Sequence, residues 1–149
     1  MFKEYRIGFD IWGALLFLII MLPNFIWFAV PAPNDILRTD SITKALDTIA
    51  SICQVLMAVF LCIFINKERE KTKFSRFIIA VMISCFLYYA NWGLYYGGIT
   101  NSFVILGLTV PPCLAFFFFA LERKNMIAVI PIFVFTVCHL IYGIANYIM

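Results

Sequence analysis

The chain has 149 residues, 64% of them hydrophobic and 13% charged, with a formal net charge of +3. Globular soluble domains run at roughly 45–50% apolar and about 25% charged, and one this small has too little interior to hide the excess. Composition therefore excludes an ordinary water-soluble domain and points to a single transmembrane domain, 1–149, with bilayer lipid as its solvent. Seventeen phenylalanines, seven tyrosines and three tryptophans suit lipid contact and the headgroup boundary.

A helix needs about 20 largely apolar residues to cross a hydrocarbon core of about 30 Å. Five segments qualify, about 9–30, 45–65, 77–96, 102–121 and 126–148. The expected fold is all-α, a polytopic five-transmembrane-helix bundle. Before the first span stand Lys3 and Arg6, and Val30-Pro31-Ala32 loosely resembles a signal-peptide cleavage site. The apolar run exceeds the ~7–15 residues of a signal core, and Pro33 would follow the cut, so a retained span is expected. Asp10 falls at the edge of this span, where water is expected to reach it. Gly13, Asn24 and Trp27 share a stripe along it.

The loop 31–44 carries Pro31, Pro33 and Asn34-Asp35, a turn signature, and Asp40-Ser41 is a fair N-cap for the second span. In that span Asp47, Ser51 and Gln54 are spaced by four and three residues and so share one helical face. The following loop, 66–76 (NKEREKTKFSR), mixes charge signs at helical spacing and is expected to extend the second helix into water. The third span places Ser84, Tyr88, Asn91 and Tyr95 on one face, with Trp92 beside it. In the fourth span, with Ser102 and Thr109, the pair Pro111-Pro112 removes amide donors. The helix is expected to kink there and free carbonyls near Gly107 and Leu108. The fifth span has Thr136, His139, Gly143 and Asn146, flanked by Tyr142. No internal repeat superposes these polar positions, which argues against an inverted-repeat transporter within one copy.

Orientation follows from the basic residues. Lys3, Arg6, Lys67, Arg69, Lys71, Lys73, Arg76, Arg123 and Lys124 fall on one side of the spans; only Arg38 and Lys44 fall on the other. The N-terminus is therefore expected in the cytoplasm and the C-terminus outside, in the cell membrane. The same clustering in short loops and the N-terminus makes nucleic acid an unsuitable partner.

Ionisable and amide side chains within a span are costly and mark functional candidates. At 1.5 Å per residue, His139 and Gln54 lie ~14 Å below the outer ends of their spans, and Asn91 and Asn24 about 8–10 Å. The strongly polar groups thus belong to the outer half, whereas interhelical glue would be spread over both leaflets. An outward-opening cavity is expected, floored near Gln54 and His139 and walled by tyrosines and tryptophans. Its expected lining is Asn24, Trp27, Asp47, Ser51, Gln54, Tyr88, Asn91, Trp92, Tyr95, His139, Tyr142 and Asn146, with Gln54, Asn91 and His139 facing one shared space. Short connections favour packing of the second span beside the third.

One histidine, and five cysteines occurring singly, are too few ligands for a metal and form neither a CxxC site nor a disulfide framework. No phosphate loop, HExxH or GxSxG occurs, so no cofactor is expected. The function expected first is binding or transport of a small, partly apolar molecule or lipid. The alternatives are an accessory or assembly subunit, which leaves room for an oligomer or a partner chain, and a membrane-embedded enzyme using Asp47 and His139 as an acid–base pair.

Overall fold

A computed structural model describes residues 2–69 and 74–149. It contains five long helices: α1 Ile11–Ala29, α2 Lys44–Ile63, α3 Arg76–Tyr96, α4 Ser102–Glu122 and α5 Met126–Tyr147. All five are long and apolar enough to cross a membrane. Their bounds fall within about two residues of the expected spans, because each is one uninterrupted apolar run.

Helix α4 is the centre of the bundle. Eleven of its residues are buried, against three in α2. It packs extensively on α3 and on α5, and α5 packs in turn on α2. Helix α1 lies against α2, α3 and α4 more lightly. The expected pairing of α2 with α3 is therefore corrected: the main partner of α2 is α5. The connection between α2 and α3 is long enough to release them from adjacency.

That connection also departs from the expected helical extension. The chain leaves α2 at Ile63 and forms a strand, β2 (Phe64–Asn66), antiparallel to β1 (Tyr5–Ile7) with Tyr5 opposite Asn66. The charge pattern at helical spacing was outweighed by backbone pairing with the N-terminal segment. Residues 70–73, which include Lys71 and Lys73 of the charge asymmetry, lie outside the described residues.

The ribbon, Asp10 and the turn after α4 form a polar knot at one end of the bundle. Asp10 caps α1 through its Oδ1, which accepts from Trp12 N at 3.1 Å. Its Oδ2 accepts from Arg69 at 2.6 Å and from Arg123 Nε and Nη2 at 2.8 and 2.6 Å. Asp10 is 4% exposed, so the expectation of a water-reached edge is corrected: two arginines from separate connections meet on this carboxylate. Asn125, 1% exposed, caps α5 with its Oδ1 and donates to Phe60 and Phe64 carbonyls at the end of α2.

Helices α3 and α4 stop in the same way. The amide after the left-handed residue reaches back to the carbonyl five residues earlier, Ile99 to Leu94 and Asn125 to Ala120. The left-handed residue is Gly98 (φ 87°) in one case and Lys124 (φ 51°) in the other. Helix α2 begins at Lys44 rather than at Ser41: Ser41 Oγ accepts from Thr43 N, and the cap position is Thr43.

Candidate ligand cavity

The end of the bundle opposite the polar knot encloses a cavity of about 350 Å³ to which all five helices contribute. Helix α1 supplies Ile20, Met21, Asn24, Trp27 and Phe28, and α2 supplies Asp47, Ala50, Ser51 and Gln54. Helix α3 adds Tyr88 and Trp92. Helix α4 contributes Ile105, Leu108, Thr109, Pro112 and Phe116, and α5 contributes Phe135, His139, Tyr142, Gly143 and Tyr147. Helical periodicity explains the grouping: Met21, Asn24 and Phe28 recur at three and four residues on α1, and Asp47, Ser51 and Gln54 do so on the facing side of α2.

Nine of the twelve expected residues line this space: Asn24, Trp27, Asp47, Ser51, Gln54, Tyr88, Trp92, His139 and Tyr142. The other three are placed elsewhere, each by a specific contact. Asn91 packs against α4, donating to Leu87 O at 2.8 Å, with its amide where a Gly107 side chain would be. Gln54 and His139 thus share one space, without Asn91. Tyr95 is fully buried beneath the connection between α1 and α2, where its hydroxyl donates to Asp35 Oδ1 at 2.8 Å and accepts from Leu37 N. Asn146 ties α5 to the start of α2, accepting from Ile42 N and donating to Thr43 Oγ1.

The connection between α1 and α2 roofs the cavity. Asp35 accepts from Trp27 Nε1, Tyr95 and Arg38, whose guanidinium also lies 4.9 Å over the Trp27 ring. Partial burial alone would raise the Asp35 pKa. The hydrogen bonds from Trp27, Tyr95, Arg38 and the Ala32 backbone overcome this and hold the carboxyl below its ordinary range. Leu37 follows on this roof, and its carbonyl accepts from the Tyr147 hydroxyl at 3.3 Å. Leu37 and the Asp35 network thus cover the cavity at this end.

Its sides are unequal. Toward α3, helix α1 is tied by Asn24 to the Tyr88 hydroxyl at 2.8 Å and by the Tyr89 and Tyr96 hydroxyls to Ile19 and Val30 carbonyls. Toward α2, the backbones meet closely near the polar knot, where a Gly13 side chain would strike Leu61 O at 2.9 Å. Farther along, the polar tie is Gln54 Nε2 to the Met21 thioether at 3.3 Å, and sulfur is a weak acceptor. Two lining residues are exposed, Phe28 and Ser51. They mark a mouth between α1 and α2.

Polar groups inside are few. His139 lies between Phe135 and Tyr142, stacked on both at centroid distances of 5.0 and 6.1 Å. Among the described residues its ring makes no hydrogen bond, and none joins it to Asp47, whose Oδ1 accepts from Thr43 at 3.0 Å. The acid–base pair is thus not assembled here by a direct bond. Trp92 Nε1 is the one buried side-chain donor among the described residues without a hydrogen-bond partner. In α4, Pro111 and Pro112 leave the Gly107 and Leu108 carbonyls without their usual amide donors, while the helix runs on through both prolines.

Sequence reasoning missed Asp35, Leu37, Met21 and Tyr147. Asp35 was readable only as a turn residue, and nothing local marks it as the acceptor for Trp27 of α1 and Tyr95 of α3. No family model, curated protein or solved structure matches this chain.

Proposed function

We propose that the chain is a multi-pass protein of the cell membrane, with a cytoplasmic N-terminus, whose cavity binds or carries a small, partly apolar molecule or lipid. The observation that carries this reading is the 350 Å³ cavity shared by all five helices. Its size and its largely apolar, aromatic wall with few polar groups are those of small-molecule sites.

A second reading, an accessory subunit without its own ligand, draws on Asn146, Tyr95 and the Asn24–Tyr88 pair. These polar groups satisfy one another across helices. Ligand screening on purified protein in nanodiscs separates the two. Small apolar compounds should raise the unfolding temperature and change tryptophan emission, because Trp27 and Trp92 line the cavity. Ser51→Phe, at the exposed mouth, should abolish both effects without lowering stability. If no compound acts differently on the wild type and the blocked variant, the accessory-subunit reading replaces the binder.

A further inference from the structure

The charge inside the cavity is one-sided. Among its lining residues Asp47 is the single carboxylate, and none is a lysine or arginine. The nearby cations are engaged or turned away. Arg38 is held by Asp35 at 2.8 Å and by the Trp27 carbonyl, and Lys44, one turn before Asp47, is exposed and forms no ion pair with it among the described residues. Asp47 Oδ1 receives the Thr43 hydroxyl, while Oδ2 has no hydrogen-bond partner among the described residues. The start of α2 offsets part of this charge through its dipole, but a dipole is no counter-ion.

The cavity that Asp47 lines has a largely aromatic wall. Eight of the lining side chains are Phe, Tyr or Trp, and their ring faces attract cations electrostatically. A cavity lined by a carboxylate and aromatic rings, with no lysine or arginine and with its one histidine stacked between Phe135 and Tyr142, disfavours carboxylates, sulfates and phosphates. It suits an ammonium group carried on an apolar body.

From this we propose that the cavity takes an amphiphilic cation, an ammonium-bearing molecule with an apolar body, which enters from the bilayer between α1 and α2 and sets its charge against Asp47. The entry route follows from the difference between the walls. Hydrogen bonds tie α1 to α3, leaving a small separate pocket beside Pro23 and Gly93, and the Asp35 network covers the roof, whereas the α1–α2 side carries the exposed Phe28 and Ser51 and the weak Gln54–Met21 contact. The cation itself would partition to the headgroup boundary, the level of Asp47 in the first turn of α2. This inference rests on the binding reading and narrows it to one chemical class.

The test uses the full chain in nanodiscs and three probes of one shape: 4-phenylbutyltrimethylammonium, its uncharged isostere with carbon in place of nitrogen, and the matching sulfonate. Binding is read from tryptophan emission, with Ser51→Phe as the blank for partitioning into lipid. The cation should bind at least tenfold more tightly than either analogue. Asp47→Asn, which keeps the acceptor for Thr43, should remove that advantage, so that cation and neutral probe bind the variant alike. Equal binding of cation and neutral probe, unaltered in Asp47→Asn, overturns the cation inference while the binding reading stands. If no probe exceeds the blank, the cation inference also falls, and the binding reading is then decided by the wider compound screen.

Discussion

The Trp27 indole donates to both carboxylate oxygens of Asp35, at 2.9 and 3.0 Å, and so joins the end of α1 to the roof over the cavity. Together with Tyr95 and Arg38 this holds the Asp35 pKa below its ordinary value. A carboxyl whose folded-state pKa is depressed contributes stability that is present above the unfolded pKa, about 3.9 for Asp. That contribution is lost as pH falls through the lower, folded value. Thermal unfolding followed from pH 6 to pH 2 should show the wild type losing stability across and below the ordinary carboxylate range. Asp35→Asn should be less stable at pH 6 and should lose less on acidification. Parallel pH profiles for the two proteins would refute this.

Gly107 sets how closely α4 approaches α3. A Cβ there would lie 2.1 Å from Asn91 Cγ, and Asn91 is itself 5% exposed, with little room to swing away. Gly107→Ala should destabilise the bundle by about 1–3 kcal/mol, the usual range for overpacking. Adding Asn91→Gly should recover most of that loss, which a double-mutant cycle in denaturant would measure.

Asp10 joins three segments at the polar knot. Asp10→Asn removes the negative partner that Arg69 and Arg123 share, and breaking a buried ion pair from one side costs about 3–5 kcal/mol. Arg123→Ala should cost more than Arg69→Ala, because their side chains are 6% and 25% exposed. Chemical unfolding of the three variants checks the order. Equal, small effects would place these charges in water after all.

Lys124 occupies the left-handed position that Gly98 fills at the end of α3. A non-glycine side chain there costs roughly 1 kcal/mol or somewhat more. Lys124→Gly should therefore stabilise the protein by about 1 kcal/mol, offset in part by the greater freedom of glycine in the unfolded chain. A fall in midpoint would contradict this account of the α4 terminus.

The orientation rests on the nine-to-two distribution of basic residues. In intact cells, an impermeant thiol reagent should label Asp40→Cys directly and Phe74→Cys only after permeabilisation; both positions are exposed. The reverse pattern would invert the proposed topology and place the roofed end of the cavity toward the cytoplasm.

Much of this molecule was local enough to be read along the chain. The five helices follow from apolar runs of the right length, and nine lining residues follow from helical spacing of polar and aromatic groups. Helical spacing, however, names a face about 100° wide or more, not a neighbour. Asn91 and Trp92 are one residue and about 100° apart. That rotation puts one against Gly107 and the other on the cavity, and the choice depends on where α4 lies. The apolar runs and spacing likewise could not show that α2 packs on α5.

The helices and their polar faces follow from the order of residues, because hydrophobic length and 3.6-residue periodicity are properties of each segment alone. Tertiary structure decided the rest. Asp10 became buried only when Arg69 and Arg123 arrived from two distant connections, and the segment after α2 became a strand only when Tyr5–Ile7 offered it a partner. The cavity acquired a roof only when Asp35 found Trp27 and Tyr95. Each of these depends on hydrogen bonds or charges between groups far apart in sequence, and their free energy exists only once the fold brings them within about 3 Å.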